Sequence, residues 1–127
     1  MISKRMWNFC IQKPLDLFIE CCKKDKYELY QDSDGAIHIS KDDLEYIVNF
    51  SSYDDYLEWN KTTPEETVLK FKVFEYEHFD VKNNYIISHY EFVVYKEVFD
   101  TIYKDSHIDF ATDVLKELFS IRDNRNV

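Results

Sequence analysis

The side chains best suited to chemistry in this chain are acids and aromatics near its middle. Asp42, Asp43 and Glu45, then Asp54, Asp55 and Glu58, are interleaved with Tyr53, Tyr56 and Trp59. The stretch 45–60 holds four acids, five aromatics and no Lys or Arg. That mixture suits recognition better than catalysis. Tyr and Trp anchor interface cores, and an acidic rim steers a basic partner towards them. A spaced row of carboxylates also imitates a phosphate backbone. Adjacent pairs such as Asp42/Asp43 and Asp54/Asp55 point in different directions on a helix, so they make no acid–base dyad. All nine residues are candidates for a partner-binding surface, against the simpler reading that Tyr56 and Trp59 pack inward and the acids are merely solvated.

Other constellations lead less far. The histidines are His38, His78, His89 and His107. His78 and His89 approach each other if their strands pair, and with Glu77 or Glu91 they could hold a metal, but the ligand set is incomplete. No metal and no cofactor are expected. The single glycine, Gly35, excludes a phosphate-cradling loop, a dinucleotide fingerprint and a Gly-x-Ser-x-Gly elbow. Glu65, Glu66, Lys70 and Lys72 faintly resemble a carboxylate–lysine nuclease strand, but a net charge of −9 opposes the basic channel such chemistry needs. No enzyme activity is expected. Cys10, Cys21 and Cys22 are odd in number and match no zinc spacing, which suits free thiols in a reducing compartment. With no leader-like apolar run, and no stretch near the ~18 apolar residues of a membrane helix, the expectation is a soluble cytoplasmic protein.

The charge is unevenly placed. Residues 1–26 carry six bases and three acids, residues 27–80 four bases and fourteen acids, and residues 81–127 six bases and eight acids. Such a chain is a poor binder of nucleic acid, which requires Lys and Arg at phosphates, and a good partner for a basic protein. The N-terminal bases lack the aromatic interleaving of a base-stacking surface and read as a solvated helix face.

These residues must be carried by definite elements. Met6, Trp7, Cys10 and Ile11, then Leu15, Phe18, Ile19 and Cys22 after Pro14, follow helical spacing. Residues 27–40 predict a hairpin, with Gly35 at the left-handed turn position. Ser/Thr-x-x-Asp/Glu patterns at Ser40, Ser52, Thr63 and Ser106 predict helix starts. Leu44, Ile47 and Val48 then share a helical face, as do Tyr53, Tyr56 and Leu57, so the acidic segment falls on two short helices. Thr63-Pro64 opens at most one turn. Period-two alternation predicts strands over about 67–79 and 85–98, the latter with Ile86, Tyr90, Phe92 and Val94 facing the core. Ile108, Ala111, Leu115, Leu118 and Phe119 mark a last helix. The sum is one α+β domain over residues 1–127: an antiparallel sheet of about four strands with helices packed on one face.

In charge, size and composition, though in no specific motif, the chain resembles bacterial immunity proteins that neutralise nuclease toxins, and equally phage-encoded inhibitors of nucleic-acid-targeting defence enzymes. The resemblance implies a small acidic protein that occludes the active surface of a basic partner, probing no nucleic acid and no membrane itself, as a monomer or homodimer. A different class, an adaptor or self-associating subunit, fits the aromatic content as well.

Overall fold

Ser3 opens the first helix by accepting a hydrogen bond from the Met6 N–H at 3.1 Å. The computed structural model describes residues 1–61, 70–102 and 106–123. In it α1 (Lys4–Trp7) runs through a π-helical segment (Asn8–Gln12) into α2 (Lys13–Lys24). The wide turn falls just ahead of Pro14, which has no N–H to give and whose ring crowds the carbonyl four residues back. A meander follows: β1 (Glu28–Gln31), β2 (Ile37–Lys41) and β3 (Leu44–Phe50), then α3 (Tyr53–Lys61), β4 (Lys70–Asp80) and β5 (Tyr85–Tyr95). The chain continues through α4 (Lys96–Thr101) and α5 (His107–Asp123). All five strands form one antiparallel sheet in sequence order, with β1 and β5 at its edges. Among the described residues no helix is long and apolar enough to cross a membrane.

Turn chemistry sets the register. The Asp32 carboxylate accepts from the Asp34 and Ala36 N–H groups at 2.9 and 3.0 Å, and Gly35 takes φ 87°. Asp42 and Asn84 supply the left-handed positions of the next two hairpins at φ 57° and 56°, a conformation that Asp and Asn tolerate better than most residues.

One sheet face is apolar and covered. Ile39, Tyr46, Val48, Phe71, Phe74, Tyr76 and His78 are buried on it. Trp7, Tyr56, Phe71 and Phe99 form an aromatic cluster above it, with ring centroids 5.0–6.1 Å apart. At the other end the Tyr46 hydroxyl donates to the Arg122 carbonyl at 3.0 Å. The buried Arg122 guanidinium pairs with Asp25 at 2.9 Å and lies over Phe119 at 4.8 Å and Tyr27 at 5.4 Å.

Several expectations are corrected. The helix expected after Ser40 is strand β3: Leu44, Tyr46, Val48 and Phe50 alternate towards the core, and Ser40 lies within β2 rather than capping anything. The last strand ends at Tyr95, where α4 begins. Ile86 is 54% exposed because β5 bulges at Ile87: Ser88 pairs with His78 but Ile86 with Phe79, which turns Ile86 to the outer face. A second bulge buries Val73 beside Phe74. In α5 the buried stripe is Phe110, Val114, Leu118 and Arg122, and Ile108 is 62% exposed. The turn expected at Thr63-Pro64, and Glu65 and Glu66, lie outside the described residues.

Candidate functional site

Strand alternation sends every second side chain to the face opposite the helices. That face carries Glu28 and Tyr30 from β1, His38 and Ser40 from β2, and Glu45, Ile47 and Asn49 from β3. β4 adds Lys70, Lys72, Glu75, Glu77 and Phe79, and β5 adds His89, Glu91, Val93 and Tyr95. None of these side chains is buried, so no described element covers the face. Five glutamates stand there against two lysines. Tyr30 (56% exposed), Ile47, Phe79 and Val93 supply apolar surface among them.

Two polar clusters organise the face. In the first, His38 bridges two carboxylates. Its Nε2 lies 2.7 Å from Asp32 Oδ2 and its Nδ1 3.1 Å from Glu45 Oε1, while the ring stacks on Tyr30 at 4.3 Å. Partial burial opposes protonation of the imidazole, but the hydrogen bonds to Asp32 and Glu45 outweigh it and its pKa is raised. The bond to His38 in turn lowers that of Asp32. With both ring nitrogens engaged by carboxylates, His38 has none left to activate a nucleophile.

In the second cluster Glu75 faces Glu91 directly across β4 and β5, with His89 two residues along from Glu91. One ligand atom from each of the three lies within 4.8 Å of the others. Imidazole plus two carboxylates is a donor set zinc accepts. Here Lys72 Nζ sits 3.1 Å and His89 Nε2 3.5 Å from Glu75 Oε2. The hydrogen bond from Lys72 is the main cause of a lowered Glu75 pKa.

The nine residues expected to form one surface are dispersed. Asp42 and Asp43 are exposed at the β2–β3 turn. Glu45 is on the open face, bound to His38. Tyr53, Asp54, Asp55, Tyr56, Glu58 and Trp59 lie on α3, beyond the far end of β3. Seven residues of strand span about 20 Å, so the turn acids and the α3 acids share no contiguous patch. Tyr56 is fully buried, and its hydroxyl accepts from the Ile2 N–H at 2.8 Å. It is a core residue and anchors no partner. Tyr53 donates to the Ile2 carbonyl at 3.0 Å, and Trp59 packs against Phe71 and Phe99. Asp55 closes a capping box: it accepts from the Ser52 N–H at 2.9 Å while the Ser52 hydroxyl accepts from the Asp55 N–H at 3.1 Å. Asp54 and Glu58 remain exposed. His78 and His89 fall on opposite faces of the sheet, His78 buried and stacked on Tyr46 at 4.5 Å.

Sequence reasoning missed the grouping of Glu28, Glu75, Glu77 and Glu91 with Glu45. The signal was present as alternation, since each of these acids sits one position from a core residue of its strand. No family model, curated protein or solved structure matches this chain.

Proposed function

We propose that this chain is a small acidic binding protein that occludes a basic surface of another protein, with the open face of its sheet as the contact. The observation that carries this reading is the face itself: five glutamates and a scatter of aromatic and aliphatic side chains left uncovered by the helices. Carboxylates at alternate positions of one strand stand about 7 Å apart. Glu75 and Glu77 stand at that spacing on β4, which suits a cleft that normally takes a phosphate backbone. A nuclease-type toxin neutralised by its immunity protein is the partner class that fits first. A nucleic-acid-targeting defence enzyme blocked by a nucleic-acid mimic presents the same basic cleft. In either case the chain acts by binding, and its own residues perform no reaction.

Within the contact, Glu77 and Glu91 pair with Lys or Arg of the partner, while Tyr30 and Val93 fill adjacent apolar recesses. The earlier candidates Asp42, Asp43, Asp54 and Glu58 serve at most as a distant rim that speeds encounter. The test is a pull-down from the source cell, followed by binding kinetics with two double variants. Glu77→Lys with Glu91→Lys is expected to weaken capture of a basic partner by at least about tenfold. Asp54→Lys with Asp55→Lys is expected to slow association slightly at low salt. Absence of any basic partner, or loss of binding in the second variant alone, overturns the assignment of the open face.

A further inference from the structure

Strand β5 ends the sheet, and among the described residues nothing pairs with its outer edge. It is eleven residues long and reads YIISHYEFVVY, with no Pro, Gly or Lys. Folded proteins ordinarily blunt such an edge with a lysine, a proline or a covering segment. Here Tyr85, Ile87, Tyr90, Val93 and Tyr95 are exposed along it. The bulge guards only the Ile87 end; from Ser88 to Tyr95 the edge is regular, β-branched and aromatic, and open to another strand.

The sequence of the strand indicates which one. About Tyr90 the stretch Ile87–Val93 is largely self-complementary: Ile87 mirrors Val93 and His89 mirrors Glu91, with Ser88 and Phe92 the unlike pair. We infer that β5 pairs antiparallel with β5 of a second copy of this chain, about a two-fold axis through Tyr90, to make a continuous ten-stranded sheet. A two-fold axis perpendicular to the sheet keeps each face on its own side, so only registers centred on a residue are allowed. Centred on Tyr90, each His89 meets the partner's Glu91, and this happens twice. Centred on His89 or on Glu91, like residues meet across the axis, His with His or Glu with Glu, and like charges directly opposite are destabilising. The same register lays Ile87 beside the partner's Val93 on the open face and brings the two Tyr90 rings together on the helix side. The ladder between Ser88 and Phe92 contains no bulge; the bulge at Ile87 lies at the rim, on both sides alike. The inference does not rest on the partner proposed above: its main-chain pairing runs along the edge of the sheet, it shares only Glu91 and Val93 with the contact named there, and it is read on the chain alone with no partner added.

Sedimentation velocity across roughly micromolar to hundred-micromolar chain tests it. The expected result is a dimer at twice the chain mass. His89→Glu, and separately Glu91→His, place like residues opposite each other and are expected to weaken the dimer about tenfold or more, and the two substitutions together restore it. Tyr90→Cys places two thiols at the axis, where directly opposed Cα atoms are about 4.5–5.5 Å apart, so mild oxidation yields a covalent dimer, while Tyr85→Cys does not. A monomer at the highest concentration overturns the inference. So does a dimer that is indifferent to both single charge variants and fails to cross-link through position 90.

Discussion

The two faces of the sheet are built from the same strands and have opposite fates. On the helix side Tyr46, Val48, Phe74 and Tyr76 are sealed in, and the Tyr46 hydroxyl donates to the Arg122 carbonyl. On the other side no described residue is buried, and the polar groups find one another: His38 with Asp32 and Glu45, His89 and Lys72 with Glu75. The covered face carries the stability. The open face is free to be spent on recognition, since surface substitutions there cost the fold little.

The contrast is sharpest in aromatic deletions. Tyr56→Ala removes a fully buried ring that touches Trp7, Phe71 and Phe99, and is expected to cost about 3–5 kcal/mol in chemical denaturation. Tyr30→Ala on the open face should cost under about 1 kcal/mol. Equal losses would mean that the open face is part of the fold's foundation. Next comes Arg122→Ala, which leaves Asp25 without its partner and uncovers Phe119 and Tyr27. A loss of about 2–3 kcal/mol is expected, whereas Lys72→Ala, deleting an exposed pair, should shift stability by less than about 0.5 kcal/mol. Ser52→Ala removes the capping box of α3 and should cost about 1 kcal/mol, without altering binding through the open face.

The smallest expected effect is the most specific to the open face. The raised pKa of His38 means that its cluster stabilises fully below the ordinary imidazole value of 6.5 and loses that contribution as pH rises through the raised one. The lowered pKa of Asp32 works in the other direction: its contribution is present above 3.8 and fades as pH falls below that. The cluster is therefore strongest between these two values. Unfolding curves of the native chain and of His38→Gln should diverge most in that window and converge as pH rises through the raised His38 value. Parallel curves across the whole range would show that His38 is not held as its geometry implies.

Much of this architecture was legible in the chain. Gly35 marked the first hairpin, alternation marked β4 and β5, and Ser52 with Asp55 marked the start of α3. What misled was β3. Its residues Leu44, Ile47 and Val48 satisfy helical spacing as well as Leu44, Tyr46, Val48 and Phe50 satisfy alternation, and the Ser40/Asp43 pattern favours a helix start. The deciding fact is tertiary: β3 pairs on both sides, with β2 and β4, and no local signal records that. The same error displaced the candidate site. Asp42 and Asp54, close in sequence, stand beyond opposite ends of β3, while the acids gathered by strand pairing, Glu45, Glu75, Glu77 and Glu91, are scattered along the chain. The bulge at Ile87 was equally hidden, because one extra residue changes which face Ile86 occupies without changing the local pattern.

The helical layer has a consequence for how the molecule comes to exist. Each ladder of the sheet joins strands that are neighbours in sequence, whereas the layer over it joins distant residues: Cys10 to His107, Cys22 to Arg122 and Tyr46 to Arg122. Contacts of high sequence separation wait on long loop closures. During synthesis α1 and α2 emerge before the sheet, yet the α5 residues that complete their cover emerge after it. The apolar stripe of Phe18 and Cys22 must therefore wait, uncovered on this side, for almost the whole time the ribosome takes to make the described chain.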